Sequence, residues 1–376
     1  MKHNWTYKKL GEVAAYINGF AFKPSDWKLQ GLPIIRIQNL NDPSAEYNFY
    51  DKEIAPKYIV NDGDILISWS ASLGVYEWQR GKAVLNQHIF KVVFDKSDID
   101  KHYLKYCVEA KLTDMSRLAH GATMRHIVKG DFDNTPIPIP SLDEQQAIVR
   151  ELDGINRLID LQEEQLREYD RLAQSLFYTT FGDPVSNPKG WEVKKLGEVA
   201  ETTSGGTPAK AHNEYYEGGT IPWLRSGEVS QGLIYKTELF ITQAGLDNSS
   251  AKIIPVNSVA IAMYGATVGE VGIIKAPMST NQAVCSIFPN ESVTPIYLLY
   301  FLRAMKPHYI NIAAGGAQPN ISQAIIRNTK LTLPPLSLQQ TFAAQIEAIE
   351  QQKALIRRSL EDTRTLLAAR MQYYFE

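Results

Sequence analysis

A tandem duplication constrains this chain more than any other feature. Trp5 to Ala14 (WTYKKLGEVA) returns as Trp191 to Ala200 (WEVKKLGEVA), and Pro33 to Arg36 (PIIR) answers to Pro222 to Arg225 (PWLR). Asn86-Gln87 pairs with Asn281-Gln282, and Asn134 pairs with Asn328. Gly121 to Ile127 pairs loosely with Gly316 to Ile321, and Gln145-Gln146 opens one helical stretch as Gln339-Gln340 opens another. The offset drifts from 186 to 195 residues through these anchors, then holds at 194 across both helical stretches. A period this long is far above the ~20–50 residues of a solenoid. The repeating unit is therefore a whole domain followed by a helix.

A chain of 376 residues has room for two or three domains, each with its own core. With 44% hydrophobic and 21% charged residues it has the composition of neither a disordered nor a membrane protein. No uninterrupted apolar run approaches the ~20 residues a bilayer span needs. Met1 to Trp5 (MKHNW) places no apolar run after its basic residue, unlike a secretory leader. Cys107 and Cys285 sit in apolar company and read as buried, reduced thiols of a cytoplasmic protein. A net charge of -2 counts weakly against nucleic-acid binding, because charge distribution matters more than its sum.

Each copy reads as strand-rich. Strands are expected at 34–37, 64–68, 88–94 and 137–139, and again at 258–263, 271–274, 283–288 and 330–333. Asn61-Asp62-Gly63 marks a turn. Shorter helices are expected at about 100–116, capped by Asp98 or Asp100, and at about 295–307, where Thr294 caps and Pro295 takes the first helical position.

At about 143–178 and 337–375 the apolar period changes to about 3.6. Ile148, Leu152, Ile155, Ile159, Gln162, Leu166, Tyr169, Ala173 and Leu176 form a seam with four-three spacing. Adding 194 gives Phe342, Ile346, Ile349, Lys353, Ile356, Leu360, Thr363, Leu367 and Arg370. Ser141 or Asp143, and Ser337, are the expected caps, and Gly182-Asp183-Pro184 ends the first helix. A helix of ~33 residues is a rod of ~50 Å that needs a partner along its seam. The available partner is its own copy. The short link at 179–190 makes the pair antiparallel, with the two domains at opposite ends. Residues 144–171 carry eight acids against four arginines, and residues 339–371 carry four acids against five bases, so the flanks are complementary. Lys353, Thr363 and Arg370 interrupt the second seam and are expected to face another surface or to mark a shift in register. A second stripe, Leu158, Leu161, Leu172, Leu355 and Leu366, suggests that the rod has more than one buried side, as a protein-partner surface would require. The expected fold class is α+β, with two pseudo-symmetric domains of mixed α/β content and two long antiparallel helices forming an intramolecular coiled coil. The boundaries are 1–142, 143–182 (central helix), 183–336 and 337–376 (C-terminal helix).

Domain, long helix, domain, long helix is an organisation that resembles the specificity subunits of Type I restriction-modification systems. The openings at Trp5 and Trp191 are similar to the family's domain starts, as are the helix entries at 138–146 and 333–340. Phe181-Gly182-Asp183 resembles the end of the family's central helix. The resemblance covers nearly the whole chain. It implies that each domain is a target recognition domain reading half of an interrupted, asymmetric double-stranded DNA site. It further implies a non-catalytic subunit whose helices dock two modification (adenine-N6 methyltransferase) subunits, with restriction (nuclease/translocase) subunits joining the complex. Methyl donor, ATP and Mg²⁺ then belong to the partners, and no cofactor or metal is expected here. The alternative is a duplicated structural adaptor that binds proteins without reading DNA.

Reading DNA needs donors and acceptors at base edges and cations at phosphates. Arg36 and Arg225 occupy equivalent positions and suit guanine, phosphate or a structural ion pair. Trp69, Ser70 and Ser72 match the loop of Tyr264 and Thr267; small residues allow close approach to DNA, and the aromatics either stack or complete the core. Asn86-Gln87 and Asn281-Gln282 recur in both copies and so favour a scaffold role. Positions where the copies differ are better readers: Arg125 and His126 against Gln318 and Asn320. Lys82 is a candidate phosphate contact. No methyltransferase motif, phosphate-cradling loop or zinc spacing is found, and Asp62-Gly63-Asp64 reads as a turn.

Overall fold

The computed structural model describes residues 5–70, 72–118, 128–313 and 320–376, excluding the side chains of 113–118. The chain packs as two compact units, Met1–Glu163 with Arg358–Glu376, and Glu164–Arg357. Both divisions fall inside the long helices, so each unit comprises one globular module and a portion of each helix.

In the first unit, Thr6–Lys9 pairs antiparallel with Pro136–Ile139, Tyr7 opposite Pro138. A two-stranded ribbon consists only of edge strands, which tolerate the missing N–H groups of Pro136 and Pro138. The ribbon joins the module's start to its end, just before the central long helix. An antiparallel sheet follows the order Ala15–Asn18, Ile89–Val93, Ile65–Ser68, Gly74–Glu77. A second sheet runs Asn48–Tyr50, Leu32–Ile35, Ala83–Leu85, Ile59–Val60, with Leu32–Ile35 parallel to Ala83–Leu85. Ile65–Ser68 is buried along its whole length. Its alternation sends Ile65 and Ile67 into the core containing Phe90 and Tyr103, and Leu66 into the core containing Ile35 and Trp78.

The second unit repeats this plan. Glu192–Lys195 pairs with Lys330–Leu333. One sheet runs Thr202–Ser204, Val284–Ile287, Val259–Ala262, Val271–Ile274, and gains Leu233–Ile234 as a fifth, parallel strand. The other runs Phe240–Ile241, Ile221–Leu224, Met278–Thr280, Ile253–Ile254, again with a parallel central pair. Val259–Ala262 sorts its residues between two cores as Ile65–Ser68 does.

Asp100 Oδ1 accepts from the amides of His102 and Tyr103, both at 2.9 Å, and so caps the helix Lys101–Leu118. Thr294 caps Pro295–Ile312, which continues past the expected end at 307 with Pro307 inside it. Burial of Tyr309, whose hydroxyl lies 2.8 Å from Thr329 Oγ1, anchors the extra turn in the core.

The long helices span Leu142–Phe181 and Leu336–Phe375, 40 residues each. Ser141 Oγ accepts from Glu144 N while Glu144 Oε2 accepts from Ser141 N, a reciprocal cap. Gly182 N closes the C-terminus on Tyr178 O at 2.8 Å. Ser337, an expected cap, instead lies inside its helix, which starts at Leu336; there Pro335 O accepts from Leu338 and Gln339.

The repeated glutamines have a common structural task. Gln145 Oε1 accepts from Asp100 N and its Nε2 donates to Pro140 O, both at 2.9 Å. Gln339 does the same with Thr294 N and Pro334 O, also at 2.9 Å. Each buried amide ties the start of a long helix to the start of its module's shorter helix.

Within each unit the two long helices pair. In the first, Ile148, Val149 and Leu152 share a core with Phe375, flanked by Leu367 and Met371. Glu151 bonds Arg370 at 2.9 Å, Gln162 bonds Ser359 at 2.9 Å and Glu163 bonds Arg364 at 2.6 Å. Ascending numbers on one helix meet descending numbers on the other, so the pairing is antiparallel. In the second unit, Ala173, Phe177 and Phe181 pack with Phe342, Ile346 and Ile349, and Lys353 Nζ lies 2.6 Å from Asp170 Oδ1.

All the expected seam positions, Ile155, Ile159, Leu166, Tyr169, Ile356 and Leu360 among them, are buried or half-buried. One expectation is corrected. Lys353, Thr363 and Arg370 neither turn away nor shift the register; Lys353 and Thr363 are buried in the seam and Arg370 half-buried, each with hydrogen-bond partners. The second stripe, Leu158, Leu161, Leu172, Leu355 and Leu366, is left uncovered by the chain itself: these leucines are 47–63% exposed.

Candidate nucleic-acid interface

The two modules share a backbone frame around their parallel strand pairs. Asn86 N donates to Ile35 O at 3.2 Å, and Asn281 N donates to Leu224 O at 2.9 Å. Asn86 Oδ1 accepts from Gln87 N and Asn281 Oδ1 from Ala283 N. Both asparagine side chains therefore hold the chain itself, which supports a scaffold role. Neighbouring glycines press against the same segment. A Cβ on Gly19 would lie 2.2 Å from Asn86 O, and one on Gly205 would lie 2.0 Å from Thr280 O.

Arg36 and Arg225 leave this frame at equivalent points, immediately after strands Leu32–Ile35 and Ile221–Leu224. Three residues on, a side-chain oxygen accepts from the arginine's own amide at 3.1 Å in both copies: Asn39 Oδ1 in the first, Glu228 Oε2 in the second. The guanidinium groups then meet different partners. Arg36 Nη1 donates to Asn48 Oδ1 at 3.2 Å, and its Cζ lies 5.2 Å from the centre of the Trp27 ring. Among the described residues no carboxylate is within ion-pair distance of it. Arg225 Nη2 donates to Glu238 at 2.5 Å, and its Nε lies 3.5 Å from Glu228. For Arg225 the structure supplies the ion pair that the sequence left open as one reading.

The expected match of Trp69 with Tyr264 is one residue out of step: the strand register sets Trp69 against Met263, each on the core side of its module. Trp69 packs against the first module's core, 5.6 Å from the Phe90 ring, with its Nε1 buried and lacking a partner among the described residues. Tyr264 is 44% exposed and bridges to Asn320, also exposed. Thr267 Oγ1 donates to Tyr264 O at 3.1 Å on the turn Gly265–Thr267. Ser70 and Ser72 are half-buried; Ser70 O accepts from Ser68 Oγ. Lys82 is exposed at the turn before Ala83–Leu85. Arg125, His126 and Gln318 lie outside the described residues. Asp62 and Asp64 serve the turn: Asp62 Oδ1 accepts from Gly81 N, and Asp64 pairs with Lys91 at 2.9 Å. Among the described residues no group of His, Cys, Asp or Glu is arranged to hold a metal ion.

The sequence reading passed over Trp27, Gln38, Asn39, Asn48 and His88. A concavity in the first module is lined by Arg36, Ile37, Gln38, Asn86, His88 and Ile89. The signal was present in the repeat itself: carrying the offset of 189 past Arg36 sets Asn39 beside Glu228.

Two stretches of the chain, 2–169 and 188–362, match the model of the Type I restriction modification DNA specificity domain. The chain belongs to this family. Among its relatives, the Type I restriction enzyme MjaVIII specificity subunit of Methanocaldococcus jannaschii is 26% identical over 92% of this chain and 86% of its own. The EcoR124I/EcoR124II specificity subunit of Escherichia coli is 26% identical over 74% of this chain and 70% of its own. Two solved structures share the fold. The Type-I restriction-modification S subunit from M. genitalium has a TM-score of 0.54 at 15% identity, covering 99% of this chain and 96% of that one. A chain from a study of assembly and conformational transition of the type I R-M system has a TM-score of 0.62 at 19% identity, covering 98% and 96%. Each of the two matched stretches of this specificity-domain chain takes in one globular module and the first part of the long helix that follows it.

Proposed function

We propose that the chain is the non-catalytic DNA-specificity subunit of a type I restriction-modification complex. Each module is a target recognition domain, and together they read a bipartite, asymmetric DNA sequence. One observation carries the reading: a DNA specificity domain occurs twice in one chain, on a common backbone frame bearing different side chains. Two equal readers would select a symmetric site. Readers whose equivalent arginines, Arg36 and Arg225, meet different partners select two different half-sites.

The paired helices dock two modification (adenine-N6 methyltransferase) subunits, and restriction subunits complete the assembly. The exposed leucines of the helices, Leu158, Leu161, Leu172, Leu355 and Leu366, support this by offering apolar area that the chain itself leaves uncovered. The methyl donor, ATP and Mg²⁺ are used by the partners. The complex acts in the cytoplasm, where its DNA lies.

The test is selection from random duplexes by the chain assembled with its modification subunits, at several salt concentrations. Enrichment of two short elements separated by a constant gap is the expected result. A steep salt dependence without enrichment would mean backbone contact alone and would overturn the reading.

A further inference from the structure

Resting on that reading, we infer that the two modules carry unequal electrostatic contacts to DNA: the Arg36 concavity of the first binds an anionic or acceptor-rich feature of the duplex, and its twin at Arg225 is internally neutralised. The two arginines stand at equivalent points of the frame, with the same amide hydrogen bond of 3.1 Å three residues on. What differs is the charge of the groups around them. Asn39 stands where Glu228 stands, and the guanidinium of Arg36 meets the amide of Asn48 whereas that of Arg225 meets the carboxylate of Glu238. Two amides leave the guanidinium of Arg36 its full charge. Two carboxylates outweigh that of Arg225, and Glu238 is itself 72% exposed, so it repels an approaching phosphate.

The neighbours follow the same division. Gln38 and His88 line the concavity beside Arg36; the repeat places Gly227 and Ala283 at those points in the second copy. The first site thus presents an uncompensated cation with the Gln38 amide and the His88 imidazole around it; at the second the cation is neutralised and glycine and alanine replace the other two groups. The face of Trp27 against Arg36 restrains the planar guanidinium, leaving its remaining N–H groups for acceptors. Such a group fits a phosphate, or the two major-groove acceptors of guanine.

The experiment measures binding of the subunit, assembled with its modification subunits, to the duplex that the wild type selects. Arg36→Ala is expected to weaken binding about ten-fold or more and to make the salt slope shallower by about one counterion. Arg225→Ala is expected to leave the slope unchanged. Asn48→Glu, which retains the arginine and supplies the second module's carboxylate, is expected to reproduce the loss; it decides alone if Arg36→Ala does not fold. Arg36→Lys separates the two DNA features: retained affinity and preference identify a phosphate, relaxed preference at one base pair identifies guanine. Wild-type slope and affinity in both folded Arg36→Ala and Asn48→Glu would overturn the inference, as would an equal loss in Arg225→Ala. Failure of the wild type to select any sequence is read before any variant is made, and removes the underlying function instead.

Discussion

Lys353 on the C-terminal helix sets its Nζ 2.6 Å from Asp170 Oδ1 on the central helix, with its side chain only 7% exposed. Glu350 Oε1 approaches the same ammonium at 2.7 Å. A buried cation requires such partners, because leaving it unpaired costs several kcal/mol. Placed in the seam where its copy has Ile159, this polar contact favours one register over slipped alternatives. Lys353→Met, which fills the same space without charge, is expected to lie within about 1.5 kcal/mol of wild type in urea denaturation. Lys353→Ala leaves a gap between two acids and is expected to lose about 1–3 kcal/mol. An alanine variant as stable as the methionine variant would contradict the seam role.

Glu151, Arg370 and Tyr374 form a second cross-helix contact. The hydrogen bond from Arg370 holds the Glu151 carboxyl below the usual range, against a smaller opposing effect of burial. A depressed folded value means stability that is present above the unfolded value of about 4.3 and is lost as pH falls through the folded one. The wild type is therefore expected to lose melting temperature more steeply than Glu151→Gln as the pH drops below about 5. Parallel profiles for the two proteins would show that the contact contributes nothing to acid sensitivity.

Trp69 and Tyr264 stand in different environments, one residue out of step: Trp69 matches Met263 on the core side of its strand, and Tyr264 follows it in the turn. Trp69→Ala removes a ring stacked on Phe90 and is expected to destabilise the first unit by about 2–4 kcal/mol. Tyr264→Ala, at a side chain 44% exposed, is expected to stay within about 0.5 kcal/mol. Equal effects of the two substitutions in a thermal melt would refute this assignment.

Cys107 and Cys285 are buried, one in each unit. Burial pushes the Cys285 thiol up to about 12 and that of Cys107 higher still, so neither forms the reactive thiolate near neutral pH. Alkylation is expected only after local or global opening. Mass spectrometry after a short alkylation pulse in rising urea then reports the opening of each unit separately. Rapid labelling of either cysteine in the native protein would contradict its burial.

Much of the fold was legible because its signals are local. The 3.6 period of the long helices, the caps at Ser141 of the first of them and at Thr294 of a shorter helix, and strands such as Val271–Ile274 follow from neighbouring residues and elementary backbone geometry. The seam positions emerged because an offset of 194 maps one helix onto the other. Lys353 and Thr363 defeated the simple apolar rule, since whether a polar side chain can enter a seam depends on partners such as Asp170 across it. The task of Gln145 and Gln339 was equally hidden, as each joins segments about 45 residues apart.

The amino-acid order by itself determined the duplication, the two long helices and the kind of residue placed at each equivalent point, because repetition and periodicity are properties of the linear chain. Tertiary structure alone decided that Arg225 is neutralised and Arg36 is not, and that Trp69 matches Met263 on the core side of its strand while Tyr264 is exposed. Charge and burial depend on distance through space, and folding brings Glu238 and Asn48 to those arginines across 13 and 12 residues of chain.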